Sequence, residues 1–300
     1  MSNSIGKPVM VIPGDEPPQM QGSAQLDRIK EYGNLTMYTD RPGSKEEQLR
    51  RVKDADIILN TRGAVKWGRA EMEQLPKLKL IATCSIGTDM IDLEAARDLG
   101  ITVCNQPGRT AKLVAEHAFA LMLAVAKRLA YQTSQLKRGV WAKMDNVYLQ
   151  GKTLGVVGTG DTGAEMARLG NAFGMRVVAW TFNPNKERAK KLGVAYVPLD
   201  ELLRESDVVS LHVRLSDESR HLIGKKELAM MKEGALLVNV ARGEVVDTAA
   251  LVEALNSGHL GGAGIDVFDK EPIGNDAPIV QCEQVVLTPH IAEVTPEGVE

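Results

Sequence analysis

The 300-residue chain lacks most of what marks a nucleic-acid or membrane protein. It has no excess of either charge: 36 Lys and Arg stand against 39 Asp and Glu, a net charge of -3, with a pI near 6.0. A balance of this kind exerts no global attraction on polyanions or anionic bilayers. Aromatics are scarce. With 3 Trp, 5 Tyr and 4 Phe scattered along the chain, there is no base-stacking platform, and the core must be aliphatic. Long hydrophobic runs are missing too. The longest apolar stretch, at 113–125, is broken by Glu116 and His117 and falls short of the ~20 residues a membrane span needs. The first 18 residues carry four prolines rather than a basic start and an apolar block, so no signal peptide is expected and a cytoplasmic protein is the default. Cysteine is rare, odd in number and without metal spacing. Cys84, Cys104 and Cys282 read as small core side chains, with neither a bridge nor a metal site.

What the sequence does have is a rhythm. Short apolar runs at 9–12, 35–38, 56–59, 80–83 and 101–104 alternate with amphipathic stretches such as 45–53 and 93–99. This pattern predicts βαβ units and a parallel sheet. Gly100, just before residue 101, is placed as a helix stop. The pattern breaks at the turn signal Asn105-Gln106-Pro107-Gly108. A long Ala- and Leu-rich helix follows at 111–128, then a polar segment to Gln150. From Lys152 the alternation resumes, with strands expected at 153–157, 177–180, 208–212, 235–240, 264–267 and 285–288. Helices are expected between them, at 160–173, 186–192, 199–206, 225–231 and 247–257. Six strands with intervening helices match a doubly wound dinucleotide fold.

After the first of these strands comes Gly158-Thr159-Gly160-Asp161-Thr162-Gly163, leading into a helical Ala-Glu-Met-Ala-Arg-Leu. A G-x-G-x-x-G run alone is a weak signal, but between an apolar strand and a helix it has the one context in which its mechanics work. Gly158 allows the tight turn, Gly160 lets the backbone approach a pyrophosphate, and Gly163 lets the helix pack on the strand. The helix N-terminus adds N–H donors and the positive end of a dipole. The next strand ends Val178-Ala179-Trp180-Thr181, about where an acid would grip the adenosine ribose of NAD. Thr181 stands there instead. Phe182-Asn183-Pro184-Asn185 follow, with Lys186 and Arg188 close behind but no Arg immediately after. A hydroxyl does not repel a 2′-phosphate as a carboxylate would, so NAD is expected and NADP stays open.

Sites in open α/β sheets lie beyond the carboxyl ends of strands, so polar groups there rank first. Arg242 follows the predicted strand at 235–240, Glu271 lies just after Asp266-Val267-Phe268-Asp269-Lys270, and His290 follows Val285-Val286-Leu287-Thr288-Pro289. Together they supply an anion clamp, a carboxylate and an acid/base. Reduction of a 2-oxo acid needs those three types. A guanidinium holds the carboxylate in bidentate fashion and polarises the adjacent carbonyl. An imidazole delivers the proton, a carboxylate beside it raises its pKa and fixes its tautomer, and a cofactor carries the hydride. Taken singly, each has a bland alternative: a strand-end cap, a solvated turn and a buried core histidine. Of the other histidines, His117 reads as a core or interface residue in an apolar helix, and His221 and His259 as surface or helix-end residues. His212 ends the strand at 208–212 and is placed near the cofactor rather than at the proton.

With these residues in place the chain resembles the D-isomer-specific 2-hydroxyacid dehydrogenases over nearly its whole length. The segments Leu236-Leu237-Val238-Asn239-Val240-Ala241-Arg242-Gly243, Gly264-Ile265-Asp266-Val267-Phe268 through Glu271-Pro272, and Thr288-Pro289-His290 look like that family's Arg, Glu and His signatures in order and spacing. The resemblance implies two doubly wound parallel-sheet domains, a Rossmann dinucleotide domain inserted into a flavodoxin-like substrate domain. The substrate domain would take 1–105 plus 288–300 and the dinucleotide domain 106–287. It makes Arg242 the substrate-carboxylate clamp, Glu271 the partner of the imidazole and His290 the proton donor and acceptor. Asp266 would bind the nicotinamide carboxamide, Val114 would pack near the nicotinamide, and Gly158, Gly160, Asp161, Thr162, Gly163, Thr181, His212 and Ala241 would line the rest of the cofactor site. The segment Cys84-Ser85-Ile86-Gly87-Thr88-Asp89 looks like the family's substrate loop, with the backbone N–H groups of Ile86 and Gly87 meeting the carboxylate. Relatives usually form a homodimer through the long helix and the dinucleotide domain, and the same is expected here.

Some residues depart from the family pattern. Asp161 and Thr162 stand where the family commonly has a basic or polar residue and Ile. Arg214 replaces a common Pro after His212, and Thr181 replaces the ribose acid. Relatives also usually continue past the position of Glu300 through a further helix back into the first domain, so that packing is expected to be missing if this end is natural. The activity expected is reversible reduction of a 2-oxo acid to the (R)-2-hydroxy acid with NAD(P)H. A dinucleotide-sensing interaction protein of the same fold and a phosphite dehydrogenase are the alternatives, whereas the resembling formate enzymes carry Gln where Glu271 stands. Arg62, at the end of the third predicted strand, is either a reader of a second anionic group on the substrate or a surface arginine.

Overall fold

A computed structural model of the protein describes residues 6–16, 18–61 and 65–299, so Arg62 lies outside the described residues. The chain forms two compact units. One runs to Thr110 and resumes at Val294, and the other, Ala111–Glu293, is inserted between those two pieces.

The first unit holds five parallel strands: β1 (Val9–Ile12), β2 (Asn34–Met37), β3 (Ile57–Asn60), β4 (Leu80–Thr83) and β5 (Thr102–Cys104). Their order, β2-β1-β3-β4-β5, is that of a flavodoxin-like sheet. Ile58, Ile81, Trp67, Met72 and Ala95 close its core. The helices between strands start where the side chains dictate. Ser44 and Asp92 each accept a bond from the backbone N–H three residues on, at 3.2 and 2.9 Å, satisfying a donor that the first turn leaves open. Gly100, at φ +71°, stands just past the end of the helix Leu93–Asp98.

The second unit holds seven parallel strands: β6 (Thr153–Val157), β7 (Arg176–Trp180), β8 (Ala195–Tyr196), β9 (Val208–Leu211), β10 (Ala235–Asn239), β11 (Leu260–Ile265) and β12 (Val285–Leu287). They lie in the order β12-β11-β10-β9-β6-β7-β8. Every residue of β6, β9 and β10 is buried, as a parallel sheet covered on both faces requires. Alternate side chains go to opposite faces. Leu154, Val156, Val208, Leu236 and Val238 meet Ala118, Leu121, Met122 and Val125 of the helix Ala111–Ala126, while Val157, Val209 and Leu237 meet Leu202, Leu203 and Leu251. The strand order reverses between β6 and β9, which sets the crevice where ligands of such sheets bind.

This sheet differs from the sequence expectation in two places. It has a seventh strand, β8, whose two residues are too few to show any alternation, and β11 begins at Leu260 rather than 264 because Gly261 and Gly262 hide its start. The boundaries between units also fall elsewhere. Residues 106–110 stay with the first unit, where the Gln106 N–H donates to the Ser85 carbonyl at 3.1 Å, and 288–293 stay with the second, where the Thr288 N–H donates to Ile265 O at 3.0 Å and the His290 N–H to Asp266 O at 2.8 Å. Among the described residues no helix is long and apolar enough to cross a membrane.

Candidate active site

The loop after β6 is shaped by what its glycines exclude. Gly158 has φ +95° and its N–H donates to Trp180 O at 2.7 Å. A Cβ there would lie 2.7 Å from the His212 carbonyl, and one on Gly163 would lie 1.8 Å from the Gly158 carbonyl. Loop, helix and β9 therefore close on one another without room for a methyl group. Gly160 is the opposite case: a Cβ there would meet nothing within 4 Å. It precedes the helix Asp161–Ala172, whose N-terminus has no side-chain cap, so first-turn N–H donors and the dipole's positive end face open space beside bare backbone. This cradle fits a pyrophosphate. Asp161 at its lip is exposed, Thr162 half-buried, and Thr181 half-buried at the end of β7.

His212, at the end of β9, places Nε2 2.8 Å from Ser210 Oγ, while Nδ1 is shut off from solvent with no partner among the described residues. Burial pushes its pKa down to about 3. This imidazole stays neutral near neutrality and is no proton donor there.

Beyond β10, β11 and β12, three neighbours in the sheet, the chain presents Arg242, Glu271 and His290. The turn carrying Arg242 is held from within by Asn239, which is buried. Its Oδ1 accepts from the Ala241 N–H at 3.0 Å and its Nδ2 donates to Arg242 O at 2.9 Å. Arg242 is half-buried, with Nη1 donating to Ala241 O at 2.8 Å. Gly243 follows because the next stretch of chain crosses there: a Cβ on it would lie 2.1 Å from the Phe268 carbonyl carbon. Past that crossing, Glu271 Oε1 accepts from the Phe268 N–H at 2.9 Å and Oε2 lies 2.7 Å from His290 Nδ1. Burial pushes the Glu271 carboxyl up, but the His290 bond and charge, the Phe268 N–H and the Arg242 guanidinium together hold it below the usual range. It is ionised, and the three groups share one electrostatic neighbourhood. With Nδ1 engaged, Nε2 is the ring nitrogen left for chemistry, on a side chain 40% exposed. His290 sits at φ +53°, a left-handed conformation uncommon for such a residue.

The segment bearing His290 is fastened by Asp266, which is fully buried. Asp266 accepts from Thr288 Oγ1 at 2.6 Å and from the N–H groups of Ile291 and Ala292 at 2.9 and 3.1 Å. His117 Nε2 lies 3.0 Å from Thr288 Oγ1 and 3.4 Å from Asp266 Oδ1. Burial raises the Asp266 carboxyl, yet these bonds hold it below its ordinary value. The sequence hid both His117, disguised by its apolar helix, and the paired hydrogen bonds of Asn239. The surrounding apolar residues gave one signal, for a lone histidine there needs a partner. Val114 lies half-buried on the same helix, and Ala241 is buried.

In the first unit, Ile86 and Gly87 stand in a loop whose carbonyls are taken. Asn105 Nδ2 donates to Ile86 O at 2.8 Å, Ser85 Oγ to Gly87 O at 2.9 Å and Gln19 Nε2 to Cys84 O at 3.0 Å. The N–H groups of Ile86 and Gly87 have no partner among the described residues, which leaves the loop as a donor surface.

Residues 119–292 match the family model for the NAD binding domain of D-isomer specific 2-hydroxyacid dehydrogenases. The chain belongs to this family. It is an NAD(P)-dependent dehydrogenase of D-2-hydroxy acids. Over 280 residues it is 41% identical to a glyoxylate reductase of Korarchaeum cryptofilum, covering 91% of this chain and 84% of that one. A hydroxypyruvate reductase of Thermotoga maritima is 41% identical over 258 residues, 85% and 83% of the two chains. The solved D-lactate dehydrogenase of Aquifex aeolicus, in complex with NAD and lactic acid, superposes with a TM-score of 0.84 at 32% identity, over 97% of this chain and 90% of that one.

Proposed function

We propose that this dehydrogenase acts on a small 2-oxo acid of the size of glyoxylate or hydroxypyruvate, giving the (R) product where the product is chiral. The His290–Glu271 pair, 2.7 Å apart with the charge of Arg242 felt at the same carboxylate, carries this reading. Arg242 takes the substrate carboxylate in a two-pronged grip and draws electron density from the adjacent carbonyl. His290 delivers a proton from Nε2 to the carbonyl oxygen, and takes it back in the reverse direction. Glu271 fixes the tautomer and, being ionised, steadies the imidazolium. The nicotinamide cofactor supplies the hydride.

Gly158, Gly160, Gly163 and the N–H groups around Asp161 and Thr162 hold the pyrophosphate, Thr181 the adenosine ribose, and Ala241, His212 and Val114 wall the nicotinamide side. Asp266, whose Oδ2 accepts only the Ala292 N–H among the described residues, is assigned the carboxamide. In the first unit the N–H groups of Ile86 and Gly87 are assigned to the substrate carboxylate. We further place the protein in the cytoplasm, as a homodimer. Support for the dimer comes from the second unit, which exposes Leu129, Leu136, Val140, Trp141 and Tyr148 within one stretch, Trp141 to 79%. Exposed apolar side chains so close along the chain suit a surface that a second copy covers.

The test is oxidation of NADH and NADPH with glyoxylate, hydroxypyruvate, pyruvate, phenylpyruvate and 2-oxoisocaproate. Glyoxylate and hydroxypyruvate should turn over fastest, and glycerate formed from hydroxypyruvate should be the (R) isomer. Glycerate of (S) configuration, or no turnover by protein with cofactor bound, would refute the reading.

A further inference from the structure

We propose that Arg188 reads a 2′-phosphate, so that the adenosine end of the cofactor site selects NADPH over NADH. The inference rests on the loop after β6 being a dinucleotide cradle. In such folds the adenosine ribose lies between the G-x-G turn and the end of the second strand, where a carboxylate serves NAD and a nearby Arg serves NADP. The end of β7 has no carboxylate. Thr181 is followed by Phe182, Asn183, Pro184, Asn185 and Lys186, and the first acid, Glu187, is exposed on a turn that also carries Lys186 and Arg188.

Arg188 is aimed at this place. Asn185 caps the helix Lys186–Leu192 by accepting from the Arg188 N–H at 2.9 Å, which fixes residue 188 in the first turn. From there Nη1 donates to the carbonyl of Thr159, the residue between Gly158 and Gly160, at 3.3 Å. Thr159 is itself held, with Oγ1 2.7 Å from the hydroxyl of Tyr196 on β8. The guanidinium is therefore tethered to the G-x-G turn by one long bond, with most of its five N–H donors unspent.

Nothing acidic competes for those donors. Arg168, Arg176, Arg204 and Arg220 of the same unit each end on a carboxylate, whereas Arg188 has none within ion-pair distance among the described residues. An exposed guanidinium left unpaired beside a turn built for phosphate is matched in shape and charge to a phosphate dianion. Thr181, half-buried at the strand end, adds a hydroxyl that can donate to the same group.

Calorimetric titration with 2′,5′-ADP and 5′-AMP isolates the 2′-phosphate without any turnover. The wild-type protein should bind 2′,5′-ADP roughly 10- to 100-fold more tightly than 5′-AMP, the range expected of charge-assisted hydrogen bonds. Arg188→Ala should remove most of that ratio with 5′-AMP affinity unchanged, Arg188→Lys should keep part of it, and kcat/KM for NADPH over NADH should fall in parallel. Equal affinity of wild type for the two nucleotides would overturn the proposal and leave the dehydrogenase reading standing. So would an Arg188→Ala protein that loses both nucleotides alike, since a mere tether of the helix to the turn would do that. Failure of NADH, NADPH and both fragments to bind would overturn the cradle, and this inference with it.

Discussion

Beyond β10, β11 and β12 the seven-stranded sheet presents charged side chains, whereas beyond β6 and β9 it presents bare main chain and a histidine that does not take a proton near neutrality. His290 and His212 show the difference within one residue type. His290 is 40% exposed with an ionised carboxylate on Nδ1. His212 is half-buried with Nδ1 shut off from solvent, its Nε2 beside a neutral hydroxyl, and it is driven down to about 3. What separates the proposed acid/base from the proposed wall is the neighbour and the water, not the imidazole.

The comparison breaks first at His290. His290→Ala should lower the rate of reduction by roughly 100- to 10,000-fold, the span of general acid catalysis, while leaving dinucleotide affinity as it was. His212→Asn should not reproduce that loss in single-turnover reduction with saturating cofactor. Next comes Glu271→Gln, which keeps a partner for Nδ1 but deletes the charge. A drop of about 10- to 100-fold in kcat is expected from one charge-assisted bond, with substrate KM less affected. Because the Glu271 carboxyl is held below its usual range when folded, its contribution to stability is complete above about pH 4.5 and fades as pH falls through the lowered value. Glu271→Gln should remove that acid-side loss in denaturation curves recorded across pH.

The main-chain half of the site is sharpened by two glycines. Gly163→Ala would force a methyl group against the Gly158 carbonyl and should cost about 1–3 kcal/mol in chemical denaturation. Gly160→Ala should leave the melting point nearly unchanged and weaken only dinucleotide binding, because its methyl enters open space. At His212 the effect shows only as a dependence on pH. Its folded pKa of about 3 lies below the ordinary 6.5, so only the unfolded chain takes up that proton between the two values. Stability is whole above 6.5 and falls with decreasing pH by at most about 1.4 kcal/mol per pH unit. In His212→Leu that slope should be shallower by this amount.

The fold was legible because a parallel sheet buried on both faces writes its strands as apolar runs such as Thr153–Val157. Burial says nothing where a strand is two residues long or opens on glycines, so β8 and the start of β11 escaped. The assignment of 288–293 could not be read either, since it depends on Asp266 reaching forward 25 residues to the Ile291 N–H. Among the candidate site residues, Arg242, Glu271 and His290 stood out as polar groups just past apolar runs. Asn239 and His117 did not, for each lies inside an apolar run and acts on its neighbours rather than on anything outside. Arg188 was visible only as a cation some way past a missing acid, and its reach back to Thr159 needed three dimensions.

Asn239 has a consequence for how this sequence can drift. It asks one side chain to receive a hydrogen bond from Ala241 and give one to Arg242 within a turn of four residues. Asp would set an oxygen against the Arg242 carbonyl, Leu would leave both main-chain groups unanswered in the interior, and Gln would carry its amide one carbon too far. Of the twenty side chains only asparagine meets both demands at that length. The position is closed to neutral change, although its side chain is buried and bonded only to its own turn.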